Sequence, residues 1–165
     1  MMRVQGSAEV ELLECTNPVK GKWRVRWDVR KKEDGSADYM EQEFGHRPEL
    51  KEIKSLILDW YNAKVDEAIL SGFIYEDMPV WLSAENQFNY KSAYDLAVQT
   101  AGATLPVTFK FGTDGQPQYR KFETLDELTD FYVKAMAYIQ TTLAAGWKEK
   151  DAIDWSAYGE EAGHE

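Results

Sequence analysis

The chain has few of the residues that usually carry catalysis. Its 165 residues include one cysteine, Cys15, and two histidines, His46 and His164. A single cysteine excludes an intramolecular disulfide and a thiolate metal cluster, and it fits a reducing compartment. His46 stands beside Arg47, a cation that discourages a metal, and reads as a solvated turn histidine. His164 belongs to a polar stretch at the end of the sequence. Cys–His catalysis would require Cys15 to meet His46, yet Cys15 ends a strand and reads as a half-buried thiol. No G-x-S-x-G, G-x-x-x-x-G-K-[ST] or G-x-G-x-x-G motif is present. No hydrophobic run reaches the length of a bilayer span. The opening MMRVQGSAEV has no apolar core, so no signal peptide is expected. These absences predict no enzyme, no cofactor, no metal and no membrane insertion.

What is abundant is negative charge and aromatic side chains. The net charge is −10, and an acidic surface repels phosphate backbones, so nucleic acid is not an expected partner. Arg24 and Arg26 alternate with Trp23 and Trp27, but strand alternation sends the two kinds to opposite faces, which denies them a stacking platform. Glu123, Asp126, Glu127 and Asp130 cluster in sequence at the start of a helical pattern. There the helix dipole favours carboxylates, so capping explains them better than a metal site does. Gly112-Thr113-Asp114-Gly115 lacks the acidic ladder of a calcium loop. Six Trp, nine Tyr and seven Phe suit a small core filled with large residues, or a sticky interface.

The pattern along the chain is α+β. A three-stranded antiparallel meander is predicted within residues 1–47. Val10, Leu12 and Leu13 open it. Trp23, Val25, Trp27 and Val29 line one face of its second strand, and Tyr39 to Phe44 form the third. The arginines of the second strand find glutamates on its neighbours (Glu9 and Glu11, then Glu41 and Glu43), pairs that contribute roughly 0.2–1 kcal/mol each. Helices are expected over about 48–71, 83–101 and 124–146. Pro48 starts the first, Ser83 caps the second, and the T-x-x-E box of Thr124 and Glu127 opens the third, with Gly146 as its stop. Short hairpins lie between the helices. One pairs Phe73-Ile74-Tyr75 with Val80-Trp81-Leu82. The other runs from Leu105 through the turn at Gly112–Gly115 and returns over Gln118 to Phe122. Residues 48–154 read as a helical and hairpin domain that folds without residues 1–47, and residues 155–165 read as a flexible tail.

From Asp66 onward the chain resembles an uncharacterised domain found at the C-termini of phage tail, tail-fibre and tail-fibre-assembly proteins and in prophage-derived bacterial proteins. The resemblance rests on Asp66-Glu67-Ala68-Ile69-Leu70-Ser71-Gly72-Phe73, Leu105-Pro106-Val107-Thr108, Asp114-Gly115, Leu125 with Leu128, and Lys150-Asp151-Ala152-Ile153. It implies a phage- or prophage-related protein that is not an enzyme and works by protein–protein contacts, as a tail component or an assembly factor. Its place would be the bacterial cytoplasm, or the virion for a structural component. The resemblance assigns no catalytic residue. The aromatic residues singled out for a partner surface or for the core are Trp23, Trp27, Trp60 and Trp81. The competing reading is a small-molecule-binding or enzymatic domain, with a pocket between sheet and helices lined by those four.

Overall fold

The computed structural model describes residues 1–159. The chain is α+β. Its elements follow the order β1 (Met2–Ser7), β2 (Leu13–Asn17), β3 (Lys22–Lys31), β4 (Ser36–Phe44), α1 (Leu50–Ser71), β5 (Phe73–Tyr75), β6 (Met78–Val80), α2 (Ala84–Gln99), β7 (Val107–Thr113), β8 (Gln116–Phe122), α3 (Leu125–Asp151) and a 3-10 turn at Trp155–Tyr158. Two compact units form. One holds Met1–Trp60 with the described residues from Ala152 on, and the other holds Tyr61–Asp151. The expected tail thus includes an ordered turn at Trp155–Tyr158 in which Tyr158 is buried, while residues 160–165 lie outside the described residues. Among the described residues no helix is long and apolar enough to cross a membrane.

The first unit carries a four-stranded antiparallel sheet in the order β1-β4-β3-β2, which corrects the three-stranded expectation. The added strand is β1. Its sequence, MRVQGS, has only Met2 and Val4 as large apolar side chains, too short a pattern to mark a strand, and four of its six residues are exposed. Gly6 is required there for space. A Cβ would overlap the Tyr39 hydroxyl, so the Tyr39 ring lies over β1 only because the position is bare. The next strand begins at Leu13 rather than Val10. Leu12 stops short of the ladder and gives its carbonyl to the Arg26 N–H at 2.8 Å.

Strand β3 alternates as its pattern requires. Trp23 sits opposite Phe44 and Trp27 opposite Met40. Val25 and Trp27 are buried, as are Ile53 and Ile57 of α1, and the Trp27 ring meets Trp60 edge-on at 6.1 Å. Fully burying one such aliphatic side chain is worth about 1.5–3 kcal/mol. The alternation breaks at a bulge between Trp27 and Arg30, where Asp28 adopts φ 51°. Aspartate tolerates this conformation better than most residues. Arg3 binds the Asp28 carboxylate and that of Asp38, and Arg30 reaches Asp28 at 3.0 Å. The arginine face is not the solvated surface its composition suggests. Arg26 is only 4% exposed. Its guanidinium meets Glu41 and Glu14 at 2.7 Å each and the Glu11 carbonyl at 2.9 Å. Glu14, not Glu9 or the Glu11 side chain, is therefore the partner from β2. Burial opposes the charge on Arg26, but the hydrogen bonds to Glu41 and Glu14 outweigh it and raise its pKa above the ordinary arginine value.

The second unit packs helices on two hairpins. Its core joins Phe73, Tyr75, Val80 and Leu82 with Phe111 and Phe122, and with Leu128, Phe131, Ala135 and Ile139 of α3. Phe131 is the hub. Its ring lies 5.1 Å from Tyr75, Tyr90 and Phe111 and 5.4 Å from Phe122. Tilted and edge-on pairs of this kind add about 0.5–1.5 kcal/mol each beyond area burial. Helix α1 starts at Leu50, two residues after Pro48. Helix α2 ends at Gln99, with Ser83 Oγ accepting from the Asn86 N–H at 3.2 Å as its cap. Helix α3 continues through the expected stop at Gly146. That glycine is buried inside the helix, and a Cβ on it would overlap Val65 of α1. Gly146 is thus a packing notch, and its lack of a side chain serves helix contact rather than helix termination. The hairpins also shift. In β7–β8 the turn narrows to Asp114-Gly115, because Gly112 and Thr113 pair with Pro117 and Gln116. In β5–β6 the turn is Glu76-Asp77, both at positive φ, and the second strand is Met78–Val80 rather than Val80–Leu82.

Candidate functional site

The surface of the second unit that stands out is the outer side of the β5–β6 hairpin. Strand alternation sends Phe73, Tyr75, Val80 and Leu82 inward, each no more than 6% exposed. The intervening residues must face out, and here they are apolar. Ile74 is 63% exposed and sits directly opposite the exposed Pro79. Trp81, two residues further on, is 51% exposed. Scattered exposed apolar residues are ordinary, but here three successive outward positions of one hairpin are apolar.

The backbone under Trp81 is fixed on both sides. The Asn86 amide donates to the Trp81 carbonyl at 2.8 Å, and the Gln87 amide donates to the Leu82 carbonyl at 2.7 Å. The Leu82 N–H donates to the Leu70 carbonyl at the end of α1 at 2.9 Å. The cap at Ser83 completes the junction. An amphipathic indole on a rigid segment loses little entropy on binding.

The tip of the same hairpin is held by a polar latch. Arg120 of β8 forms a fork on the Glu76 carboxylate, with Nε at 2.7 Å and Nη2 at 3.1 Å. Its guanidinium lies 4.7 Å over the Phe122 ring. Such two-pronged pairs fix orientation as well as charge, and Glu76 takes part in this one from a left-handed backbone conformation. The Arg120 hydrogen bond draws the Glu76 pKa below the usual carboxylate value. Next to it the Tyr75 hydroxyl donates to Asp130 at 3.1 Å, and Lys134 donates to the same carboxylate oxygen at 2.8 Å. Burial, and then the bond to Asp130, push the Tyr75 phenol well above its ordinary value. It stays protonated at neutral pH and acts as a donor rather than a nucleophile. Tyr90, raised to about 12 by burial, likewise stays protonated at neutral pH.

Three of the four carboxylates that cluster in sequence, Glu123, Glu127 and Asp130, go to separate partners. Glu123 pairs with Lys121 at 2.7 Å, Asp130 with Tyr75 and Lys134, and Glu127 accepts from the Glu123 N–H at 2.8 Å. Thr124 caps α3 as expected, its hydroxyl accepting from the Glu127 N–H at 3.3 Å, but Glu127 reaches one residue further back than a capping box requires. Among the described residues no three His, Cys, Asp or Glu side chains gather to hold a metal ion. Cys15 sits opposite Trp23 in the ladder, and His46 lies 3.2 Å from Glu52.

Of the four tryptophans singled out by composition, Trp27 and Trp60 meet in the first unit, and Trp23 is half-buried beneath Arg47, whose guanidinium lies 5.3 Å from its ring. Trp81 alone is presented outward, on the second unit. Arg120, Glu76 and Ile74 escaped sequence reasoning. The hairpin itself is expected from sequence, and the signal for its outward face is the strict alternation from Phe73 to Leu82 on either side of two turn residues.

Fold and surface together define a small α+β protein with an apolar, rigidly held hairpin face. The model of the family described as Domain of unknown function (DUF4376) matches residues 52–163, and the chain belongs to that family. No curated protein and no solved structure matches it.

Proposed function

We propose that this chain works by protein–protein contact rather than by catalysis, as a component or assembly factor of a phage or prophage tail. Its place is then the bacterial cytoplasm during assembly, or the virion. The reading is carried by Trp81, a half-exposed indole beside Ile74 and Pro79 on a backbone fixed by four hydrogen bonds. Tryptophan is enriched among the few residues that dominate binding energy at interfaces. The tail association rests on the sequence resemblance of residues 66–153. Glu76 and Arg120 bind one another, and Tyr75 and Lys134 share Asp130, which supports a structural role for these groups. The test is affinity capture of the tagged full chain from a bacterium producing the phage, with the retained proteins identified by mass spectrometry. Recovery of a tail protein is the expected result. Repeated recovery of metabolic enzymes with no tail protein overturns the reading.

A further inference from the structure

We propose that β1 is a dimerisation edge, at which two copies of this chain pair antiparallel about a two-fold axis at Gln5. The pairing joins four strands from each copy into one continuous sheet.

The ladder shows which backbone groups are free. Among the described residues β4 is the only sheet neighbour of β1, with Ser7 opposite Ser36 and Met2 opposite Glu41. One step beyond, the Ala8 N–H donates to the Gly35 carbonyl at 3.1 Å. Hydrogen-bonding residues alternate along an antiparallel strand. Ala8, Gly6, Val4 and Met2 therefore turn their backbone groups toward β4, and Arg3, Gln5 and Ser7 turn theirs away.

Edge strands are normally protected by an outward charge, a proline or a bulge. β1 has no proline, no register shift and no acidic residue, in a chain of net charge −10. Its one charge, Arg3, is committed to Asp28 and Asp38 of its own sheet. The opposite edge is different. β2 is five residues long, shifts register between Cys15 and Asn17, and is followed by Pro18. The sheet thus offers one good edge. Pairing like edges closes at two copies, whereas joining β1 to β2 would propagate a filament.

The register follows from the same groups. An axis at Gln5 sets Gln5 against its own copy and Arg3 against Ser7 of the second copy, in both directions. All three outward residues then bond. An axis at Arg3 would oppose two arginines, and an axis at Val4 would leave Ser7 unused. With Gln5 central, Val4 lies opposite Gly6 of the second copy, so the branched side chain meets a bare position. The acidic chains repel one another at long range, so added salt tightens the dimer.

Sedimentation of the full chain across the micromolar range tests this. The expected mass approaches twice 19.0 kDa and does so at lower concentration as salt rises. Gln5→Pro removes only an outward N–H, a place where an edge strand tolerates proline, and should give a monomer with unchanged circular dichroism. Cross-linking guards against a folding defect in that variant. In a Cys15→Ser background, Gln5→Cys should oxidise to a linked dimer, because facing Cα atoms about 5.5 Å apart suit a disulfide. Ser7→Cys should not link to itself, since four strand residues separate the two copies. A monomer at every concentration overturns the proposal. So does equal cross-linking at positions 5 and 7, or a dimer untouched by Gln5→Pro.

Discussion

The Tyr158 hydroxyl donates to the Arg26 carbonyl at 2.7 Å across 132 residues of chain. The position is one where the sheet runs out of partners. Arg26 takes the Leu12 carbonyl with its N–H, but β2 begins only at Leu13, opposite Val25, and its ladder does not reach the Arg26 carbonyl. A phenol from the far end of the family domain fills the gap. The first unit is therefore closed by residues from both ends of the described chain.

Tyr158→Phe should lower stability by about 1–3 kcal/mol, because it leaves a carbonyl unsatisfied in a buried site. Urea denaturation of the full chain measures this. A midpoint equal to that of the parent would mean that water replaces the phenol.

Gly146→Ala pits helix propensity against packing. Alanine is favoured over glycine in a helix interior by about 0.8–1.0 kcal/mol. Here its Cβ would overlap Val65, and overpacking typically costs about 1–3 kcal/mol. The net expectation is destabilisation that Val65→Ala relieves in part. A double-mutant cycle in thermal melts reads the coupling. Gly146→Ala alone being stabilising would place the helices further apart than described.

The Glu76–Arg120 fork should be visible in the acid limb of stability. The folded-state pKa of Glu76 is depressed, so its contribution is present above the ordinary glutamate value and is lost as pH falls through the folded value. Both side chains are partly exposed, which limits the pair to about 1 kcal/mol or less. Glu76→Gln should flatten the fall in melting temperature at acid pH and leave neutral-pH folding intact. An unchanged acid limb would show that the fork adds nothing in solution.

Sequence patterns made much of this molecule legible, and the failures have physical causes. The Trp23–Val25–Trp27 alternation, the Ser83 and Thr124 caps and the Phe109–Phe111 strand are local signals, and each appears where its period puts it. β1 was hidden because an edge strand under Tyr39 needs a bare Gly6 rather than apolar residues. Gly146 misled because a glycine serving a tertiary contact looks like one that ends a helix. The Glu76-Asp77 turn carries no glycine or asparagine, and the Glu76 carboxylate is bound by Arg120 from a strand 44 residues away. Trp81 stands out as a candidate aromatic and faces outward with either a two- or a four-residue turn, since a shift of two positions keeps the alternation; what the short turn changes is the residue opposite Ile74, which is Pro79 rather than Trp81.

The most direct test of the central claim compares hairpin variants in the phage-producing bacterium. Trp81→Ala and Ile74→Ser remove outward apolar groups without touching the core or the latch, and Phe88→Ala removes another exposed aromatic, on α2 (69% exposed), as a control. With melting temperatures matched, the account predicts at least tenfold less tail protein recovered with the two hairpin variants, and parental recovery with Phe88→Ala. Equal recovery from all variants would contradict it.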